Sequence, residues 1–98
     1  MSTLHIVRQS AFSNNDFAQC LSVLGQQDTL VLMDDGCYNL KHTLMASLIE
    51  QTNNTNCINV ITSHAQARAL EIQEGVIGIE MSDVVELTFT NQKVITWQ

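Results

Sequence analysis

The segment Thr29-Leu30-Val31-Leu32-Met33-Asp34-Asp35-Gly36-Cys37-Tyr38 constrains this chain more than any other. Its first five residues carry a single polar side chain, the pattern of a strand buried on both faces, as in a parallel sheet. Parallel neighbours cannot be joined by a tight hairpin, so crossover segments, usually helices, must lie between strands. Two carboxylates, a glycine and a thiol follow at the strand's carboxyl end, where open α/β sheets place ligands and chemistry. The segment therefore predicts a fold class and a place for function, but no reaction.

The rest of the chain alternates in the same way. Leu4-His5-Ile6-Val7 reads as a first strand. Ser13-x-x-Asp16 resembles a capping box, and a helix fits Asp16 to Leu24, with Phe17, Cys20, Leu21 and Leu24 at helical spacing and Gly25 as its stop. Leu40, Leu44 and Leu48, with Met45 and Ile49 beside them, predict a helix over Leu40 to Gln51. The β-branched run Cys57 to Thr62 predicts a third strand. Ser63 is placed to cap a short helix, Ala65 to Ile72. Val76 to Glu80 reads as a fourth strand, and Ser82-Asp83 opens a short element through Val84, Val85 and Leu87. Thr88-Phe89-Thr90 and Lys93 to Trp97 are strand-like, and they could form a hairpin around Asn91-Gln92. Without linker or repeat, residues 1–98 are expected to form one α/β domain, a mostly parallel sheet of about five strands with helices on both faces.

Charge narrows the partners. Ten acidic residues oppose four basic ones, Arg8, Lys41, Arg68 and Lys93, for a net charge of −6. Phosphate binding needs several cations on one face, so direct nucleic-acid or membrane-surface binding is not expected. The N-terminus shows no charged segment leading into an apolar run, and no apolar stretch is long enough to span a bilayer. A cytoplasmic protein is the expectation. Its three cysteines, Cys20, Cys37 and Cys57, contain no CxxC and should be free thiols in a reducing compartment. The sequon Asn53-Asn54-Thr55 carries no weight without a secretion signal.

Complete active-site patterns are missing. Gly75-x-x-Gly78 is not a phosphate loop, and there is no GxSxG elbow. His5, His42 and His64 do not cluster with cysteines at zinc-ligand spacing, so neither metal nor cofactor is expected. His5, inside an apolar strand, reads as a satisfied core histidine. Asp34-Asp35 could act as metal ligands or a general-base pair, but Asp35-Gly36 is also ordinary turn chemistry, with Gly36 at positive φ. Arg68 is the one cation on a short helix that could meet an acidic partner surface. Tyr38 and Trp97 are candidate interface aromatics.

Four motifs occur together. These are the opening Leu4-His5-Ile6-Val7-Arg8-Gln9-Ser10-Ala11-Phe12, the turn Asp35-Gly36-x-Tyr38, the run Ala67-Arg68-Ala69-Leu70, and Leu87-Thr88 leading to Val94-x-x-Trp97. In this order, over nearly the whole chain, they resemble the TusB/DsrH family. Family members often carry Arg-Gly where this chain has Arg68-Ala69, and Asp-Tyr near Glu80-Met81. The resemblance implies the small DsrE-like α/β fold. It also implies a heterohexamer with sister subunits resembling TusC/DsrF and TusD/DsrE. In the TusBCD branch that complex passes persulfide sulfur toward 2-thiolation of a tRNA wobble uridine, and in the DsrEFH branch it serves sulfur oxidation. The main sulfur-carrying cysteine belongs to the TusD or DsrE sister.

Against that background Cys20 is the candidate catalytic residue of this chain, because DsrH-type members resemble it in carrying a cysteine in the first helix. A thiolate there could accept or pass persulfide sulfur. The same residue also lies on an apolar stripe, with no cation within a helical turn, as a core cysteine would. Cys37 sits at the better end of the sheet, but Asp34 and Asp35 would raise its pKa, and a partly exposed turn residue is the expectation. Cys57 opens a strand and reads as packing. The expected role is a mainly architectural relay subunit without independent catalysis. A sulfurtransferase acting through Cys20 is the alternative, and a stand-alone homo-oligomeric binding domain is a third.

Overall fold

The computed structural model of the chain describes residues 2–52 and 58–97, and within them five strands form one sheet. They are β1 (Thr3–Val7), β2 (Thr29–Leu32), β3 (Ile58–Ile61), β4 (Ile77–Ile79) and β5 (Lys93–Trp97). The order is β4–β3–β2–β1–β5, and every pairing is parallel. Helices α1 (Asp16–Val23), α2 (Thr43–Thr52), α3 (Thr62–Ala67) and α4 (Met81–Thr90) provide the crossovers.

Topology distributes the helices. The first three crossovers step from β1 toward β4, and the fourth returns past β1 to β5. Crossovers of one hand that reverse direction place their helix on the opposite face. The core divides accordingly. Phe17 and Cys20 of α1, Met45 and Leu48 of α2, and Ala65 of α3 pack with Val7, Leu30, Leu32, Ile58 and Val60. On the other face Val84 of α4 packs with Leu4, Ile6, Val31 and Ile61, Leu87 lying against them. Alternating residues of β1 and β2 thus serve opposite layers, which explains why Leu30 to Met33 are apolar without a break.

Several local expectations differ from the fold. The helix expected to begin at Leu40 begins at Thr43, because Asp34–Lys41 winds as a 3-10 segment first. The ring of His42 then accepts the Leu44 amide at 3.1 Å, satisfying one free donor of the first turn. Ser13 and Asp16 form no capping box, since Asn15 is the N-cap and Asn14 Oδ1 takes the Asp16 amide. A capping box is present instead at α4, where Glu80 and Asp83 cap each other. Helix α3 starts directly on the end of β3, so Ser63 lies inside it rather than before it. It stops at Ala67 in a Schellman-type turn, with Ala69 N–H donating to Gln66 O and Leu70 N–H to Ala65 O. Ala69 is left-handed, at φ 54°, in the position where glycine is usual.

Thr88-Phe89-Thr90 is helical and no hairpin forms. The capping box, and the burial of Val84 and Leu87 against the sheet, commit the segment to α4 despite its strand-like residues. Strand β5 instead pairs parallel with β1 and is an edge. Cys57 and the Asn53-Asn54-Thr55 sequon lie outside the described residues.

Candidate functional site

The carboxyl ends of β1, β2 and β3 bring four charged side chains and a histidine together. Arg8 follows β1, Asp34 and Asp35 open the 3-10 segment after β2, and His64 and Arg68 follow β3. Arg8 Nε donates to Asp34 Oδ2 at 2.8 Å. Arg68 donates to Asp35 Oδ1 through Nε and Nη2, at 3.3 and 3.2 Å, and through Nη1 to the carbonyl of His64. Its guanidinium stands 6.0 Å from the centre of the Tyr38 ring. The Asp34 amide donates to His64 Nδ1 at 3.0 Å, and the Asp34 carboxylate lies 3.6 Å from the same nitrogen.

This cluster ties three strand ends together. Each acid is matched by a cation, leaving no surplus positive charge for an anion. Among the described residues no three His, Cys, Asp or Glu side chains are arranged to hold a metal ion. The turn also differs from expectation. Asp34, at φ 52°, takes the left-handed conformation, while Gly36 is needed for a different reason. It lies against β1, where a β-carbon would collide with the Val7 carbonyl oxygen.

The two described thiols are inside the core. Cys20 is fully buried, and burial, helped by the charge of Asp28, pushes its pKa up to about 12. Cys37 is also fully buried rather than partly exposed, because the 3-10 turn points it inward toward the Leu32 carbonyl. Burial pushes Cys37 up to about 11, with Arg68 pulling down and Asp34 and Asp35 adding to the rise. Neither thiol has the exposed, electropositive setting of a reactive nucleophile.

Two polar groups escaped sequence reasoning. Asn39 is buried, accepting the Ala11 amide at 2.6 Å and donating to the Gln9 carbonyl at 3.1 Å, and so fastens the loop after β1 to the 3-10 segment. Asp28 accepts the amides of Gly25 and Thr3 at 2.8 and 3.0 Å and pairs with His5 Nε2 at 3.1 Å. Burial pushes the Asp28 carboxyl up, but these three donors outweigh it and hold the group below its ordinary value. His5 is buried, and its Nδ1 accepts the indole N–H of Trp97 at 3.1 Å, so half-buried Trp97 is fastened from β5 across to β1. Neither pairing is readable locally, since 23 and 92 residues separate the partners.

Apolar surface remains uncovered elsewhere. Met81, Val85 and Phe89 recur every four residues on α4 and are exposed, Phe89 to 84%. Val94 and Ile95 of the β5 edge are exposed as well. Val94 pairs with Leu4, and so lies on the sheet face that α4 only partly covers. Phe12, in the loop after β1, is exposed and meets the His42 ring edge-on. Among the described residues no helix is long and apolar enough to cross a membrane.

No curated protein matches the chain. The family model described as DsrH-like protein matches residues 9–94, which include both buried thiols, every member of the strand-end cluster but Arg8, and all of α4, and which end inside β5. With its all-parallel five-stranded sheet and that match, the chain belongs to the DsrH-like family, at the family level a family of sulfur-relay subunits.

Proposed function

We propose that this chain is a mainly architectural subunit of a cytoplasmic sulfur-relay complex, assembled with sister subunits resembling TusC/DsrF and TusD/DsrE. The observation that carries the reading is the burial of Cys20, whose pKa is pushed up to about 12. Persulfide exchange needs an accessible thiolate, and at neutral pH this group is a protonated core thiol. Sulfur then travels on a sister subunit, and this chain supplies shape. The exposed apolar row on α4 and the open edge of β5 support partnership, since monomers seldom leave contiguous apolar surface or unguarded edges uncovered.

Within the family's range, the proposed pathway is 2-thiolation of the tRNA wobble uridine. The acidic chain has no cationic face for RNA, so tRNA contact falls to a partner. Gentle affinity capture of the tagged chain from its native host tests the assignment. Two sister subunits of similar size are expected, with a tRNA-modifying enzyme beside them. A sulfur-oxidation protein in that place would assign the chain to a DsrEFH-type complex, and recovery of the chain alone would overturn the subunit reading.

A further inference from the structure

We propose that His5, Asp28 and Trp97 form an acid-operated latch on β5, in which uptake of a proton by His5 releases the Trp97 indole from the sheet edge. The inference rests on hydrogen-bond chemistry within this chain and is independent of its place in any complex. An indole N–H can only donate. Trp97 Nε1 lies 3.1 Å from His5 Nδ1, so Nδ1 must present a lone pair. Nε2 lies 3.1 Å from a carboxylate oxygen of Asp28, so it must carry the proton. Both ring nitrogens are committed and the imidazole is neutral. A second proton can go only to Nδ1, where it would set one N–H against another.

The surroundings decide which group yields. His5 sits in β1 between paired strands, opposite Leu30 on one side and Ile95 on the other. Protonation would strengthen its attachment to Asp28, which the Gly25 and Thr3 amides also hold. Trp97 is the last residue of an edge strand and is half-buried. Its ring packs against the margin of the core and stacks with the His5 ring at 6.2 Å between centroids, and Arg8 N–H donating to the Trp97 carbonyl at 3.2 Å closes that end of β5. Of the two partners of His5, the half-buried indole at the strand end is the one with solvent beside it to move into.

Charges around the ring support the direction. From the segment before β2, Asp28 remains ionised below neutrality, its carboxyl being held under the ordinary range, and so still faces Nε2 as a carboxylate. From α1, Cys20 contributes a neutral thiol. From β5, Lys93 shares the sheet face of His5 and Trp97 by strand alternation, but at the exposed end. On β1, Arg8 is engaged with Asp34 at 2.8 Å. The docked indole and a second ring proton exclude each other, because both require Nδ1.

Trp97 is the only tryptophan, so its fluorescence in the full chain reports the latch directly. Between pH 8 and 5 we expect emission to move to longer wavelength and acrylamide quenching to rise severalfold, with far-ultraviolet circular dichroism unchanged. His5→Gln, whose amide does not titrate in this range, should show no transition. Nitrogen-15 spectra of the unaltered chain give a second test that does not depend on a variant folding. The second ring proton on His5 and the loss of the protected Trp97 indole signal should appear together. Fluorescence that stays flat over this range, a transition that survives in His5→Gln, or an indole that stays protected beside a doubly protonated His5 would each overturn the proposal.

Discussion

The Val7 carbonyl oxygen of β1 occupies the space that a β-carbon on Gly36 would need. That oxygen also accepts the Met33 amide at 3.1 Å, continuing the β1–β2 ladder into the turn. The backbone of the 3-10 segment therefore lies directly on β1, and only a residue without a side chain fits. Gly36→Ala should force the segment off the strand and cost about 3 kcal/mol, the upper end for overpacking. Urea denaturation gives the value, and a loss under 1 kcal/mol would show that the segment can shift freely.

Ala69 stands in the opposite relation to glycine. It adopts a left-handed conformation at the end of α3, which costs an ordinary residue about 1–2 kcal/mol. Glycine removes that cost but gives back roughly 0.5–1 kcal/mol through a more flexible unfolded chain. Ala69→Gly should therefore stabilise by about 0.5–1 kcal/mol, seen as a raised denaturation midpoint with an unchanged slope.

Asp28 makes acid stability specific to one group. Its folded carboxyl is held below its ordinary 3.8, so its contribution is complete above that value. The contribution is lost as pH falls through the lower folded value. Asp28→Asn should lower stability near neutrality by about 1–3 kcal/mol, because one acceptor oxygen must replace a carboxylate serving three donors. The acid limb of the stability profile should flatten in the same variant. An acid limb as steep as in the unaltered chain would assign it to other carboxylates.

The buried thiols predict the reverse at high pH. Cys20 and Cys37, raised to about 12 and 11 in the folded chain, are neutral there while unfolded thiols ionise near 9.0. Their contribution is complete below pH 9.0 and is lost as pH rises above it toward the folded values. Alkylation mapped by mass spectrometry should label neither thiol at neutral pH in the native protein and both after denaturation. Rapid native labelling of Cys20 would revive it as a persulfide carrier.

Phe89 separates assembly from stability. It is 84% exposed, so Phe89→Asp should change the stability of the isolated chain by less than about 0.5 kcal/mol. Capture of sister subunits should weaken at least about tenfold, equivalent to 1.4 kcal/mol. Undiminished capture would move the partner surface elsewhere, with the exposed Phe12 loop the next surface to test.

The amino-acid sequence by itself determined the alternation of strands and helices, the two-sided burial of Thr29–Leu32 and the siting of charged residues at strand ends. Those properties follow from hydrophobic period and turn chemistry over a few neighbouring residues. Only the tertiary structure decided the fate of Thr88–Thr90, whose side chains suit a strand but whose neighbours Val84 and Leu87 bury their apolar face as a helix. It also decided that Cys37 turns inward, that Asp34 rather than Gly36 takes the positive φ, and that His5 lies between Asp28 and Trp97. The pairing of His5 with Asp28 and Trp97, and of Asp34 with Arg8 and His64, depends on groups far apart in the chain that only the assembled sheet brings within bonding distance.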